Sequence, residues 1–576
     1  VASYAGGNLR FSLPDELHAG LVGVARRHNV TVFMVLQAGL AALLSRLGAG
    51  ADIPLGGGVA GRTDEALDEL VGLFVNTLVL RTDTSGDPTF AELLGRVRET
   101  SLGAYAHQDV PFEHLVEVLN PQRSAGYHPL FQVALVLQNT PRPTFALGGL
   151  VVEPVFVGTG TARFDLLFSL TEMAGESGEV GGVAGSVEFA TDLFDGVTVD
   201  LLVRRWVRLL GAVVADPGVR IGDVDVVLEG ERPGLLAGTG TGAIASADAG
   251  VGGAGVSVEP VVPVDLASLV AGRDPGAFAV VSGDRWLTYG ELEEWANRLA
   301  HWLRARGVGV ESRVALVLPR SVELVVAVLA VAKTGGVFVP VDPAYPVERR
   351  EFMLADAGAV VVLDGVLPDV SGLPGSAPAV GVPVDAGAYV IYTSGSTGVP
   401  KGVVVSHRGV AALGRALVAG AQVSSGSRVL LLASPSFDAS VLELVMAWSA
   451  GAVLVVAPVG VVGGELAGVI ADGGVTHALV PPSLLATVPV EGLEGFGSLL
   501  VGGEACGPEL VERWAQGRRM VNAYGPTEST VVVSMSEPLA ADGGGSGRVP
   551  IGRPVAGTRV YVLDERLRPV PPGVVG

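Results

Sequence analysis

The stretch YVIYTSGSTGVPKGVVVSH, Tyr389 to His407, gathers the residues best suited to chemistry. An apolar run ends at Tyr392, and Thr393, Ser394, Gly395, Ser396, Thr397 and Gly398 follow before Lys401 and a second apolar run. Glycines let backbone N–H groups approach an anion, hydroxyls add donors, and Lys401 adds positive charge. That combination suits phosphate. It is not a Walker A loop, which needs Gly directly before its Lys and Ser or Thr after it, opening a helix. Here Pro400 precedes Lys401, Gly402 follows, and both flanks read as β-strand. A plain flexible hairpin is the alternative, and the density of hydroxyls closed by Pro-Lys-Gly argues against it.

Three other places could carry chemistry. Asp438, in Phe437–Ser440 (FDAS), is either a helix N-cap or a carboxylate at the mouth of a pocket. Asn522 to Thr530 (NAYGPTEST) has the Asn, Gly and Pro of an ordinary turn, with Thr527 and Glu528 following. His107 lies beside Asp109 as a general base would, but a structural hydrogen bond at a helix end before Pro111 is the favoured reading. The single cysteine, Cys506, has no internal disulfide partner and fits a reducing cytoplasm.

Elements to position these residues alternate along the chain. Pro14-Asp15-Glu16 followed by Leu17, Leu21 and Val24 predicts a helix, as do 88–105 and 197–214. Val75 to Leu80 and Phe131 to Leu137 read as strands, so the first block is α/β. In the second block 314–318, 337–341, 360–363 and 429–432 are apolar strands, with helical patterns at 321–333 and 409–419 between them. Such alternation predicts βαβ units and a largely parallel sheet. From Gly234 to about Val262 the chain is rich in Gly, Ala, Ser and Thr and reads as a linker; 541–547 (ADGGGSG) reads as a surface loop.

The composition bounds the function class. The 576 residues allow three to five units at about 100–200 residues each. A net charge of −21 disfavours blanket binding to nucleic acid or anionic lipid. The most apolar helical candidate, Val32 to Leu47, is interrupted by Gln37, Gly39, Ser45 and Arg46 and is shorter than the roughly 20 residues of a membrane span, so it reads as a core helix.

From Val264 onward the sequence resembles the adenylate-forming enzymes, specifically the adenylation domains of nonribosomal peptide synthetases. The resemblance rests on LTYGELEEWANRLA (Leu287–Ala300), KTGGVFVPVDPAYP (Lys333–Pro346), the phosphate loop, FDAS and NAYGPTEST, in the family's order. It implies that ATP and an amino acid give an aminoacyl adenylate and pyrophosphate. Thr393, Ser394, Gly395, Ser396, Thr397, Gly398 and Lys401 would hold the departing phosphates. Thr527 would touch the α-phosphate, Glu528 would hold Mg²⁺, and Lys401, Thr527 and Glu528 would form the catalytic set. Tyr524 would stack on adenine and Asn522 would bond its amino edge, with Gly503, Ala523 and Gly525 beside them. Asp438 would pair with the substrate's ammonium. The side-chain pocket carried across is Ala439, Leu442, Leu479, Leu500, Gly502, Ala523, Val531 and Val532, none able to offer a side-chain charge or hydrogen bond. A polar head left unpaired there costs several kcal/mol, so a bulky hydrophobic amino acid is expected.

The first block resembles the C-terminal half of a condensation domain. The stretches are DIPLGGGVAGR (Asp52–Arg62), VGLFVNTLVLR (Val71–Arg81), HQDVPFEHLVEVLNPQR (His107–Arg123) and HPLFQV (His128–Val133). The implied organisation is a partial condensation lobe (1–228) of chloramphenicol-acetyltransferase-like fold, a linker (229–262), and an adenylation core (263–576) with βαβ subdomains and a small β-barrel. That family's His-His pair is absent from the eight histidines, so no condensation is expected from this lobe. The missing N-terminal condensation lobe and the C-terminal adenylation subdomain with its lysine are the expected partners, together with a phosphopantetheine-bearing carrier domain outside this chain. Weak or no activity alone is therefore expected. An incompetent docking fragment and an acyl-CoA synthetase-like ligase are the alternatives; nucleic acid and membrane are not expected partners.

Overall fold

The computed structural model describes residues 2–62, 67, 70–122, 124, 126–138, 158–174, 180–237, 263–394, 398–540 and 548–575. The expected linker from 238 to 262 and the expected loop at 541–547 lie outside the described residues. The chain divides into two compact units, Val1–Leu236 with Tyr561–Gly576, and a second one running to Val560.

The first unit is built on strands β1 (Gly6–Leu13), β2 (Asp52–Val59), β3 (Asn76–Asp83), β4 (Val133–Gln138), β5 (Leu166–Ala174) and β6 (Val180–Ala190). They form a mixed sheet in the order β1-β6-β5-β4-β2-β3, parallel at β2–β4 and β4–β5 and antiparallel elsewhere. The helices Asp15–His28, Val32–Leu44, Phe90–Tyr105 and Gly196–Ala215 share one core with it, where Leu21, Leu36, Leu94, Phe168 and Trp206 meet. The helix ends follow local chemistry. Asp15 and Glu16 open the first helix and Arg26, Arg27 and His28 close it, each sign facing the helix-dipole end it stabilises. Thr89 and Glu92 form a capping box on the third.

By length and apolarity, Val32–Ala49 is the one candidate membrane span among the described residues. Met34 to Leu43 are buried against protein, and Gln37 donates to Thr82 Oγ1 and accepts from Ser101 Oγ. The segment Tyr561–Gly576 clusters with this first unit, although sequence continuity attaches it to the second. Opposite charges hold it: Arg566 pairs with Asp87 and Asp223, Arg568 with Asp223, and Asp564 with Arg46 at 2.9 Å.

In the second unit, β7 (Phe278–Ser282) and β8 (Arg285–Thr288) begin a nine-stranded sheet. β9 (Arg313–Val317), β10 (Val337–Pro340), β11 (Val361–Asp364), β12 (Gly387–Ser394) and β13 (Pro400–Ser406) form a five-stranded one in the order β11-β9-β10-β12-β13. β14 (Arg428–Leu431), β15 (Val453–Val456), β16 (His477–Leu479), β17 (Ser498–Gly502), β18 (Arg519–Tyr524), β19 (Ser534–Met535) and β20 (Arg553–Pro554) complete the larger sheet in the order β20-β19-β18-β17-β16-β14-β15-β7-β8. Its centre is parallel, as expected, and both margins are antiparallel.

The helices Val322–Lys333 and Asp438–Ala450 are apolar on nearly all sides and belong to one core that also takes residues from both sheets. Leu316 and Ile391 of the smaller sheet and Leu431 and Leu454 of the larger share their core with Leu329 and Trp448. The expected small β-barrel is a correction: among the described residues every sheet is open. Beyond Tyr524 the described residues of the unit form only the two-residue strands β19 and β20, in a stretch punctuated by Pro538, Pro550 and Pro554. Proline lacks the N–H that a closed ladder needs.

Candidate functional site

The phosphate-loop residues are delivered by an antiparallel hairpin. β12 is buried until Tyr392, whose hydroxyl donates to Asp356 Oδ2 at 2.7 Å, and the chain emerges at Thr393 and Ser394. The register places Thr393 opposite Lys401 and Ser394 opposite Pro400, so hydroxyl and ammonium donors stand together at the hairpin end. Lys401 is exposed, and Gly398 has φ +82°, a left-handed turn that favours glycine. Gly395, Ser396 and Thr397 lie outside the described residues.

A cavity of about 510 Å³ opens where the ends of β16, β17 and β18 meet the start of the Asp438–Ala450 helix. Asp438, Ala439, Leu442, Leu479, Gly502, Ala523, Val531 and Val532 line it, as do Gly503 and Gly525. Seven of the eight residues carried across for the side-chain pocket therefore converge, from positions almost a hundred residues apart. Leu500 is the correction. It is 0 % exposed in the core and does not line the cavity, although its register partner Leu479 does.

Backbone crowding explains the glycines. A Cβ on Gly502 would lie 2.6 Å from the Ala523 carbonyl oxygen, and one on Gly525 would lie 2.3 Å from that of Val531. Gly503 has φ +80° with open space where a Cβ would be. These positions leave a bare backbone wall that a flat or charged group can approach.

Asp438 is the first residue of its helix, after Phe437, and so stands in the favourable field of the N-terminus. Phe437, not Asp438, occupies the N-cap, and it makes no side-chain cap bond. The Asp438 carboxylate instead accepts a hydrogen bond from Thr527 Oγ1 at 2.7 Å. Burial pushes its pKa up and the charge of Glu528 adds to this, while the Thr527 hydroxyl opposes it. Thr527 and Glu528 sit on a short 3₁₀ turn, Thr527–Ser529, with Glu528 exposed.

Asn522 is buried and donates through Nδ2 to the Pro550 carbonyl at 2.9 Å, which orients its amide. Tyr524 is 51 % exposed, leaving a free ring face; neither Asn522 nor Tyr524 lines the cavity. The described residues contain no cluster of three His, Cys, Asp or Glu fit for a metal. Glu528 alone suits Mg²⁺ bound mainly through substrate phosphates, since that ion is usually held by one or two carboxylates and phosphate oxygens. In the first unit, His107 and Asp109 are both exposed in the turn after the Phe90–Tyr105 helix.

Sequence reasoning missed several groups that shape the cavity. Glu443 is 0 % exposed and accepts the N–H groups of Leu432 (3.1 Å) and Ala433 (3.2 Å), tying its helix to the chain leaving β14. Burial pushes its carboxyl up to about 8. Arg320 donates to the Pro458 carbonyl, and Glu504 accepts from Ser483 through both its N–H and its hydroxyl. Ser436 accepts the Asp342 N–H at 2.8 Å, and Ser434 donates to the Asp342 carboxylate, so the DPAYP stretch braces the loop before Asp438. The one available signal was a lone acidic residue in the apolar run VLELVMAW.

Comparisons with known proteins add the following. The family described as AMP-binding enzyme matches residues 269–576, and that described as condensation domain matches residues 1–236. A protein of Salinispora arenicola described as "Probable non-canonical nonribosomal peptide synthetase (NRPS) CymA" is 53 % identical over 100 % of this chain. The "Isonitrile lipopeptide synthase" of Mycobacterium tuberculosis is 43 % identical, also over 100 % of this chain. The chain spans only 7 % and 23 % of the lengths of these two relatives. Among solved structures, a four domain nonribosomal peptide synthetase, holo-AB3403, bound to AMP and glycine, superposes with a TM-score of 0.78 at 25 % identity. That match covers 100 % of this chain and 44 % of the other.

Proposed function

The chain belongs to the AMP-binding enzyme family, with a condensation domain ahead of it as in nonribosomal peptide synthetases, and on that premise we propose that its second unit activates a hydrophobic amino acid as the aminoacyl adenylate. The observation that carries this is the Asp438 carboxylate at the mouth of an apolar cavity, bonded to the turn that bears Thr527 and Glu528. In this reading Asp438 pairs with the ammonium, and the side chain enters between Leu442, Leu479, Gly502, Ala523, Val531 and Val532. The pairing is strengthened by the partial burial of Asp438.

The substrate carboxylate attacks the α-phosphorus of ATP, the bond to the bridging oxygen breaks, and pyrophosphate leaves. Thr393, Ser394, Ser396, Thr397 and Lys401 donate to the leaving phosphates, and Thr527 donates to the α-phosphate. These are donors fixed where charge accumulates. Gly503, Asn522, Ala523, Tyr524 and Gly525 flank the base. Mg²⁺, held by Glu528, would neutralise phosphate charge.

Hydrophobic specificity follows from satisfied walls. Leucine, valine, alanine and glycine make up most of the wall, Glu443 and Glu504 already accept hydrogen bonds from the protein, and Arg320 donates to the Pro458 carbonyl, so a charged substrate side chain would find few groups to pair with. Delivery to a phosphopantetheine carrier, in a cytoplasmic assembly, completes the proposal. Residues 1–228 serve in it as a condensation lobe without the His-His pair, joined through 229–262 to the core at 263–576.

An ATP–pyrophosphate exchange panel tests the reading. Signal with leucine- or phenylalanine-like amino acids supports it. Signal with carboxylic acids lacking an amine would mark an acyl-CoA synthetase-like ligase instead, and silence from a chain extended through its C-terminal subdomain would mark a docking unit.

A further inference from the structure

We propose that Thr527 is a positioning residue for Asp438 and that its hydroxyl couples amino-acid binding to nucleotide binding. The inference rests on the adenylation reading above, in which Thr527 also meets the α-phosphate. A threonine hydroxyl carries a single proton. Here Thr527 Oγ1 donates it to Asp438 Oδ2 at 2.7 Å, across 89 residues of sequence. The same proton cannot serve Asp438 and a phosphate oxygen together.

Two states follow. Without nucleotide, the hydroxyl donates to Asp438 Oδ2, so the carboxylate is already partly satisfied before the ammonium arrives. With nucleotide, the hydroxyl turns to the phosphate and Asp438 stays half-buried near Glu528 without its side-chain donor. A carboxylate so placed gains more from an incoming cation than one already bonded. Amino acid and nucleotide therefore favour each other, and linkage makes the effect equal in both directions. The bonded pair also joins the head of the Asp438–Ala450 helix to the Thr527–Ser529 turn.

Isothermal titration of the 576-residue chain with L-leucine and L-phenylalanine, with and without saturating AMP and without Mg²⁺, tests this directly. AMP presents an α-phosphate with no reaction possible. The expected result is an amino-acid Kd roughly tenfold tighter with AMP, a typical coupling magnitude. Thr527→Ser, which keeps the hydroxyl, retains the effect; Thr527→Val binds the amino acid with one Kd in both conditions.

An AMP-independent Kd in the unaltered chain overturns the proposal, as does full coupling in Thr527→Val. Thr527→Ser and the unaltered chain decide the question even if the valine variant folds poorly. A chain that binds AMP but none of these amino acids in either condition overturns instead the activation reading beneath it.

Discussion

Glu443→Gln should flatten the dependence of stability on pH, because the folded protein holds this carboxyl far from water. Its pKa rises from 4.5 to about 8, mainly through burial, with the Leu432 and Ala433 N–H groups and the Arg320 charge opposing the rise. Between those two pH values the folded state binds a proton that the unfolded state has released. The stabilising effect is therefore complete below 4.5 and lost as pH climbs through about 8. Each pH unit in that window carries roughly 1.4 kcal/mol, which gives about 5 kcal/mol in all. Glutamine keeps an oxygen at the Oε2 position, where Leu432 and Ala433 both donate, and it cannot ionise. At roughly 2 °C per kcal/mol for a domain of this size, its Tm should gain about 8 °C on the parent between pH 5 and pH 8. Thermal scans followed by circular dichroism, at matched rate and protein concentration, measure the difference. Parallel Tm–pH curves for the two proteins would refute the reasoning and place Glu443 in contact with water or with a compensating charge.

Other expectations are more local. Asp438→Ala should weaken amino-acid binding by about 2–5 kcal/mol, read as a roughly 30-fold or larger rise in KM for the amino acid, with KM for ATP little changed; equal changes in both would contradict the anchor role. Gly502→Ala forces a Cβ to within 2.6 Å of the Ala523 carbonyl, so a cost of about 1–3 kcal/mol and weaker amino-acid binding are expected from thermal scans and titration. Trp206 is 0 % exposed and edges onto Phe168 at 5.2 Å, so Trp206→Ala should cost about 3–5 kcal/mol in the first unit, seen as a fall in its unfolding midpoint. Lys401→Ala should raise KM for ATP while leaving the Kd for amino acid without nucleotide unchanged, since Lys401 is exposed on the hairpin and away from the cavity wall.

Much of the frame is legible in the sequence because it depends on neighbours along the chain. The helix opening at Asp15 and the strands at 314–318 and 429–432 follow from short-range periodicity, and the structure places elements there. The hydroxyl-rich hairpin is equally local, since Thr393 and Lys401 are brought opposite each other by two consecutive strands. The pocket is a different matter. Leu479 and Leu500 are the same letter and lie opposite each other on neighbouring strands, yet only Leu479 faces the cavity while Leu500 is sealed in the core.

Charge told a similar story at longer range. Nothing near Arg566 in sequence marks Asp87 and Asp223 as its partners, yet these pairs hold Tyr561–Gly576 in the first unit. Glu443 is one acidic letter in an apolar run, and only the fold shows that it is fully buried, so that its ionisation becomes costly. The expected barrel failed for a related reason. Strand propensity was present at Val531 to Val533, but closure needs ladders longer than the prolines around β20 allow.

What the sequence determined by itself was therefore the inventory of chemistry: a hydroxyl-rich hairpin with a lysine, a carboxylate in FDAS, a threonine–glutamate turn, and the α/β alternation that carries them. Tertiary structure decided which of these act together. The Asp438–Thr527 hydrogen bond spans 89 residues, and the cavity's depth is set by strand order and by carbonyls that exclude any side chain at Gly502. Local propensity arises from interactions within a few residues, whereas a shared proton or an apolar wall exists only once distant segments are packed against each other.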